Sequence, residues 1–114
     1  QAMIKSAVER AVSHPDVQLV LLSGGTGFTP DDMTPEVVSS LLTRRADSLV
    51  QYLQQEALKI TPMACLSRAV IGTVAKSNQC HAMVVTLPGK PKAIDENLGI
   101  LFQNGVLPHA IAQC

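Results

Sequence analysis

Two short loops of the sequence carry residue types that bind phosphate groups: Gly-Gly-Thr-Gly at 24–27 and Pro-Gly-Lys-Pro at 88–91. Glycines permit positive φ and let a ligand approach backbone N–H groups closely. Lys90 and Lys92 add mobile cations beside the second loop. The first loop matches neither the Walker A pattern nor the dinucleotide-binding fingerprint. Taken alone, each loop is therefore either a phosphate site or an ordinary turn.

Two pairs of polar residues add to this chemistry. Asp31 and Asp32 stand between the first loop and the next predicted helix. Adjacent carboxylates near a phosphate are unfavourable unless they face water or hold a cation such as Mg²⁺. Ser67 and Arg68 follow the apolar and small residues 62–66, which brings a hydroxyl and a guanidinium close to buried chain. These two are either ligand-binding groups or structural hydrogen-bond partners.

Other kinds of active site have no support in the sequence. The three histidines are scattered, and the three cysteines form no Cys-x-x-Cys pair, which favours a reducing compartment over a disulfide framework. No serine–histidine or cysteine–histidine system is indicated. The sequence therefore predicts neither a zinc site nor covalent catalysis.

Composition narrows the class of protein further. The 114 residues suit a single domain, 1–114, and 46% of them are hydrophobic. Nine basic residues balance nine acidic ones and tryptophan is absent, so neither an electrostatic surface nor stacking platforms for nucleic acid are present. No apolar run reaches the ~18 residues of a membrane span. We expect a soluble, cytoplasmic protein.

The elements that would hold these loops follow from hydrophobic periodicity. Thr34 is the predicted N-cap of a helix, and Asp47–Ser48 leaves open whether one or two helices follow, with Arg44 and Arg45 on a solvated helical face. The predicted elements in order are a helix at 2–14, a buried parallel strand at 17–22, helix from 34 to about 59, strands at 69–74 and 82–87, a helix from 91, and a helical tail at 108–112.

This order predicts an α/β fold of three layers, a mostly parallel sheet with helices on both faces. Both glycine loops follow a strand and precede a helix. Ligands of open α/β sheets bind beyond the carboxyl ends of the strands. We therefore expect the two loops to lie along one edge of the sheet.

Four stretches resemble, in order, the molybdenum-cofactor biosynthesis family of the MogA and MoaB proteins and the eukaryotic G domains of plants and gephyrin. They are GGTGFTPDDMTPE, LKITPMACLSRAVIG, VVTLPGKPKAIDENL and LPHAI, at 24–36, 58–72, 84–98 and 107–111. The resemblance runs from about Val17 to the C-terminus. The closing LPHAI and the Phe-Thr-Pro after the glycines look most like the G domains.

The resemblance implies a homotrimeric molybdopterin adenylyltransferase. ATP, with Mg²⁺, and molybdopterin would give adenylyl-molybdopterin and pyrophosphate, by attack of the molybdopterin phosphate on the α-phosphorus. The product serves molybdate insertion, which implies fusion to, or interaction with, a MoeA-type domain. The alternatives are a non-catalytic, gephyrin-like molybdopterin-binding or trimerising scaffold, and a MoaB-like or CinA-like relative.

Matching the family's motifs residue by residue assigns the site. Asp32 falls on the functional acidic position, as the catalytic carboxylate and Mg²⁺ ligand. The predicted molybdopterin- and nucleotide-binding residues are Gly24, Gly25, Thr26, Gly27, Thr34, Ser67, Arg68, Pro88, Gly89, Lys90, Pro91 and Lys92.

Three departures from the family pattern bear on catalysis. The family's opening strand with its Val-Ser-Asp type motif has no counterpart, so we expect a domain that is either N-terminally incomplete or divergent. Ala57 stands where the G domains usually have serine, and Asp31 stands where they usually have arginine. These changes affect catalytic competence more than ligand binding or fold.

Overall fold

The computed structural model describes residues 2–76 and 80–114. Its α-helices are α1 (Ala2–Ser13), α2 (Thr34–Leu41), α3 (Asp47–Ile60), α4 (Pro91–Phe102) and α5 (Val106–Ala112). Its strands are β1 (Leu19–Ser23), β2 (Arg44–Arg45), β3 (Ile71–Ala75) and β4 (His81–Leu87). Short 3₁₀ helices occupy Pro62–Leu66 and Gln103–Gly105. Within the described ranges, no helix is both long and apolar enough to cross a membrane.

The four strands form one mixed sheet in the order β1-β4-β3-β2. β1 runs parallel to β4, whereas β4 with β3 and β3 with β2 are antiparallel. The α/β class is confirmed. We expected a mostly parallel sheet, but antiparallel pairs outnumber the parallel one in the described sheet. Only residues 76–80 separate β3 from β4. This connection is too short for the crossover of a dozen or more residues that a parallel pair requires.

Helices cover both faces of the sheet, which confirms the three layers. α1 and α2 pack against Ala82 and Val84 of β4, whereas α3, α4 and α5 pack against Met83, Val85 and Leu87. Successive side chains of a strand point to opposite faces. A strand that is buried on both faces therefore needs apolar residues at nearly every position. The continuous apolar run that identified β4 in the sequence has this origin.

β1 is less buried than its apolar sequence predicted. It pairs with β4 along one side and forms an edge of the described sheet. Leu21 is 42% exposed as a result. The position of the strand and its parallel direction are as expected, but the strand is not fully buried as its sequence predicted.

Two local predictions between β1 and β3 are wrong. Arg44 and Arg45 form the short edge strand β2 instead of a helical face, because the chain is extended at Leu42 and non-helical at Ala46. Of the one or two helices that Asp47–Ser48 left open, the structure has two, α2 and α3. Thr34 is the first residue of α2 and its side chain makes no capping hydrogen bond.

Candidate functional site

The two glycine loops meet at one edge of the sheet, as the topology predicted. Ser23 and Leu87, the last residues of β1 and β4, are paired, and the amide of Gly24 donates a 2.9 Å hydrogen bond to the carbonyl of Leu87. A Cβ added to Gly89 would lie 3.5 Å from Cα of Gly24. The loops are thus in direct contact where both strands end.

The first loop contains consecutive backbone N–H groups that have no partner among the described residues. Gly24 and Gly25 have φ of 91° and 70°, in the left-handed region that glycine tolerates. The amides of Gly25, Thr26 and Gly27 donate no hydrogen bond to the described residues. Consecutive free amides in a turn form a concave site for an anion.

Thr34, at the start of α2, packs against this loop and donates a hydrogen bond to it. Its amide donates a 3.1 Å hydrogen bond to the carbonyl of Gly25, and the residue as a whole is 6% exposed. A Cβ at Gly25 would lie 2.1 Å from Oγ1 of Thr34. The loop therefore packs on Thr34 as closely as a glycine permits.

A cavity of about 350 Å³ opens beside the two loops. This volume lies within the range of small-molecule sites. Its walls come from the loops that follow β1 and β4, from α3, from the 3₁₀ helix after α3 and the residues next to it, and from α4. The polar lining residues are Thr26, Gln54, Thr61, Ser67, Lys90, Glu96 and Asn97, and the apolar ones include Leu53, Ala57, Met63, Ala64, Leu66, Ala69, Pro88 and Ala93.

Two hydroxyl groups meet on the wall of this cavity. Oγ1 of Thr26 and Oγ of Ser67 are 3.2 Å apart, and Thr26 is 5% exposed. The carbonyl of Thr26 also accepts a 3.0 Å hydrogen bond from the amide of Arg68. Residues 41 positions apart in sequence are thereby joined. A hydroxyl both donates and accepts, so the pair suits a polar ligand atom.

The guanidinium of Arg68 binds the first loop of the protein itself. It donates to the carbonyls of Gly27 at 2.8 Å and Asp32 at 2.7 Å, and it forms an ion pair with Glu36. The ring centroid of Phe28 lies 5.6 Å from its central carbon. The hydrogen bond from Arg68 holds the pKa of Glu36 below its usual value. Arg68 therefore connects the loop to the start of α2.

Asp32 is held within the loop by Thr29. Its Oδ2 accepts hydrogen bonds from the Thr29 hydroxyl at 2.7 Å and the Thr29 amide at 3.0 Å. These two bonds, helped by the charge of Arg68, lower the pKa of Asp32. The carboxylate is ionised at neutral pH, and Oδ1 has no hydrogen-bond partner among the described residues.

The predicted site residues fall into two groups. Thr26, Gly27, Ser67, Pro88, Gly89 and Lys90 line the cavity. The other predicted residues do not line it: Gly24, Gly25, Asp32, Thr34, Arg68, Pro91 and Lys92. Asp31 is exposed. Among the described residues, no three His, Cys, Asp or Glu side chains come together as a metal site.

Sequence reasoning missed Glu96 and Asn97 of α4. Both line the cavity, and Asn97 is 8% exposed. The signal was present, because Ile94, Asn97, Leu98 and Leu101 occupy one helical stripe. A polar residue at a core-facing position of such a stripe needs a partner.

In the described part of the chain, two further depressions lie away from the carboxyl ends of β1 and β4. One of about 430 Å³ is bounded by α1 and the end of β3, and a wider one of about 770 Å³ by β2, α3 and α5. Neither includes a residue of the glycine loops. The cavity of about 350 Å³ is therefore the candidate site, although it is the smallest of the three.

The fold and the site define an α/β domain with a cavity at the carboxyl ends of two parallel strands, the usual position for a ligand in such sheets. The profile of a protein family described as a probable molybdopterin binding domain matches residues 1–108. The chain belongs to this family.

Individual relatives agree with the family. Gephyrin from Dictyostelium discoideum is 42% identical over 99 residues, covering 87% of this chain and 13% of gephyrin. A molybdopterin adenylyltransferase from Escherichia coli strain K12 is 35% identical over 113 residues, covering 97% of this chain and 55% of the enzyme. The solved structure of MogA has a TM-score of 0.84 at 30% identity, covering 99% of this chain and 70% of MogA.

These comparisons confirm the family resemblance and the MogA-type fold that the motifs predicted. The chain spans little more than half the length of the adenylyltransferase and a much smaller share of gephyrin.

Proposed function

We propose that the domain binds molybdopterin in the cavity between the two glycine loops and adenylylates it with ATP. The observation that carries the proposal is the meeting of both strand-end loops and the Thr26–Ser67 hydroxyl pair at one cavity. Relatives named molybdopterin adenylyltransferase support this activity over others in the family.

The reaction transfers an adenylyl group between two phosphates. An oxygen of the molybdopterin phosphate attacks the α-phosphorus of ATP, and the bond from that phosphorus to the bridging oxygen breaks to release pyrophosphate. Such transfer depends on positioning and on neutralising charge, and it needs no protein nucleophile. The free amides of the first loop, Lys90 and the Ser67 hydroxyl would bind the phosphate oxygens.

Asp32 is the proposed ligand of Mg²⁺. Mg²⁺ is commonly held by one or two carboxylates together with substrate phosphates and water. The free Oδ1 of Asp32 fits that role, because Oδ2 is already engaged by Thr29. When bound, the cation would neutralise phosphate charge. Arg68 would act on the reaction through the loop that it holds.

The test is adenylylation of molybdopterin by the full-length protein with ATP and Mg²⁺. We expect Ser67→Ala to lower kcat/KM by roughly 10- to 150-fold, since a hydrogen bond to a charged group is worth ~1.5–3 kcal/mol. Ser6→Ala, an exposed serine of α1, is the control. Equal activity of wild type and Asp32→Asn would show that the role given to Asp32 is wrong.

A second candidate is a non-catalytic molybdopterin-binding or trimerising scaffold. The similarity to gephyrin and the presence of Asp31 beside Asp32 favour it. Calorimetry separates the two, because tight molybdopterin binding without turnover of ATP indicates the scaffold. A MoaB-like or CinA-like relative would bind another nucleotide-linked substrate and leave molybdopterin unmodified.

The assembly is also a proposal. The family resemblance supports a homotrimer in the cytoplasm, working with a MoeA-type domain that inserts molybdate. Sedimentation of the full-length protein at three times the monomer mass is the expected result, and a monomer mass would contradict it.

A strand from elsewhere in the full-length protein is proposed to pair with the free edge of β1, where Leu21 is exposed.

A further inference from the structure

The wide depression, of about 770 Å³ and bounded by β2, α3 and α5, lies at the other end of the sheet from the candidate site. It includes His81 and Met83 at the start of β4, whereas the candidate site includes Pro88 and Gly89, which follow the end of that strand. The two cavities have no described lining residue in common. The volume of the wide depression lies within the range of small-molecule sites. It therefore has room for a ligand of its own.

Three side chains lie in a row across this end of the sheet. Arg44 of β2 pairs with Thr73 of β3, and Thr73 pairs with Met83 of β4. Residues directly opposite each other on neighbouring strands place their side chains on the same face. All three line the wide depression, and Met83 packs in the core that α3, α4 and α5 form on that face. The row therefore sets a guanidinium beside a hydroxyl in one depression.

The hydroxyl of Thr73 has no partner in the described part of the chain. Its Oγ1 is buried and makes no hydrogen bond there. A buried hydroxyl without a hydrogen bond costs free energy. The residue itself is partly exposed, so rotation about its Cα–Cβ bond to another staggered rotamer would turn the hydroxyl toward the depression. A ligand that hydrogen-bonds to Thr73 there would recover the lost free energy.

The charges of the depression select the class of ligand. Arg45 forms an ion pair with Asp47 at 3.1 Å, so these two charges compensate each other. The side chain of Arg44 forms no ion pair or hydrogen bond with any described residue. An arginine fork matches a carboxylate or a phosphate through two parallel hydrogen bonds. A carboxylate balances the single free charge of Arg44, whereas a doubly charged phosphate would leave negative charge beside Asp47.

The rest of the wall is largely apolar. Tyr52 and four apolar residues contribute to it: Leu49, Met83, Val106 and Ala110. Apolar and aromatic side chains around a few polar groups are the usual composition of a small-molecule site. We propose that the wide depression binds a small organic acid, whose carboxylate is held by Arg44 and Thr73 and whose apolar body lies against α3 and α5. Binding there does not depend on molybdopterin at the candidate site.

The test ligand is 2-naphthoate, because it joins a carboxylate to a flat apolar body. Its neutral amide, 2-naphthamide, has nearly the same shape without the charge, and 2-naphthyl phosphate carries a phosphate instead. Calorimetry measures the binding of each to the full-length protein, and amide chemical shifts in NMR spectra locate the bound molecule. The variants are Arg44→Gln and Thr73→Val. The matched control is Arg10→Gln, an exposed arginine of α1 that does not line the depression.

Wild-type protein is expected to bind 2-naphthoate about fivefold more tightly than 2-naphthamide, the upper range for an exposed ion pair. Arg44→Gln should remove that preference, and Arg10→Gln should keep it. The amide signals of Thr73 and Met83 should shift on binding, and those of the two glycine loops should not.

A preference that persists in Arg44→Gln, or shifts confined to the glycine loops, would overturn the inference. If Arg44→Gln does not fold, the wild-type ratio decides, because equal binding of 2-naphthoate and 2-naphthamide also overturns it. Tighter binding of 2-naphthyl phosphate than of 2-naphthoate would assign the depression to phosphate and overturn the choice of a carboxylate.

Thr73→Val tests the hydroxyl through two readouts. Valine puts a methyl group of similar shape in its place and removes an unpaired polar group. The free variant should therefore melt at a higher temperature than wild type, while its affinity for 2-naphthoate falls by about fivefold. An unchanged affinity would overturn the role of Thr73. A lower melting temperature would show that the hydroxyl has a partner in the free protein, which overturns that role as well.

Discussion

Arg68 and Asp32 hold the first glycine loop from two sides. Arg68 donates to the carbonyls of Gly27 and Asp32, while Asp32 accepts from Thr29. Neither side chain lines the cavity. At the scale of single residues, the loop that would bind phosphate is therefore shaped by polar groups bonded to the protein, which leaves its own amides free.

The carboxylate of Asp32 makes the stability of this loop depend on pH. Its folded-state pKa lies below the ordinary value of 3.8, so the ionised form stabilises the fold above that value. This stabilisation is lost as pH falls through the folded pKa. We expect Asp32→Asn to be less stable than wild type at pH 7, with the difference shrinking between about pH 5 and 3. Urea denaturation followed by circular dichroism measures both.

Asp31→Asn is the control for this prediction, because Asp31 is exposed and forms no described hydrogen bond. A difference between wild type and Asp32→Asn that stays constant over this range would contradict the role given to the charge.

Adjacent glycines of the loop should respond differently to alanine. Gly24 has open space where a Cβ would lie, so only the positive φ disfavours alanine there. Gly24→Ala should therefore lower the free energy of unfolding by about 1 kcal/mol. Gly25→Ala adds a clash with Oγ1 of Thr34 and should cost about 3 kcal/mol. Chemical denaturation of the two variants tests this, and equal losses would rule out the close packing on Thr34.

At the scale of elements, α4 serves both the core and the cavity. Its Ile100 and Leu101 are buried against the sheet, while Glu96 and Asn97 line the candidate site. The residue before the helix, Lys90, also lines the cavity. Because one rigid element carries all of these groups, packing of its apolar side positions its polar residues.

Two glycines around this helix should have opposite effects when replaced. Gly99 is an exposed helical residue with open space around a Cβ, so Gly99→Ala should raise the free energy of unfolding by about 1 kcal/mol. Gly105 has φ of 70°, so Gly105→Ala should lower it by about 1 kcal/mol. Thermal denaturation gives the sign of each change, and the same sign in both variants would contradict the prediction.

At the scale of the whole molecule, one sheet separates two apolar cores. Val38 of α2 belongs to one core and Leu101 of α4 to the other, and both are fully buried. β4 contributes side chains to both cores. The two faces are therefore expected to unfold together.

Truncation in either core should destabilise the whole domain in one transition. We expect Leu101→Ala to cost about 3 kcal/mol and Val38→Ala about 2 kcal/mol. Ile60→Ala, at a position that is 52% exposed, should cost much less. Urea denaturation followed by circular dichroism measures the loss, and two separate transitions in either variant would show that the faces unfold independently.

The sequence by itself determined the α/β class, the two main strands and the meeting of the glycine loops. These depend on local patterns: an apolar run marks β4, and the parallel direction of β1 and β4 brings their carboxyl ends to one edge. Apolarity alone did not reveal that β1 is half-exposed, because burial depends on what pairs with the strand.

Only the tertiary structure decided which polar groups share a site. Thr26 meets Ser67, and Glu96 and Asn97 join the same cavity, because packing of α3 and α4 on the sheet brings distant segments together. The tertiary structure also showed that Arg68 binds the first glycine loop and the start of α2. The three hydrogen-bond partners of Arg68 lie 32 to 41 residues away in sequence. Periodicity describes neighbours along the chain, and these contacts arise from long-range packing that it does not encode.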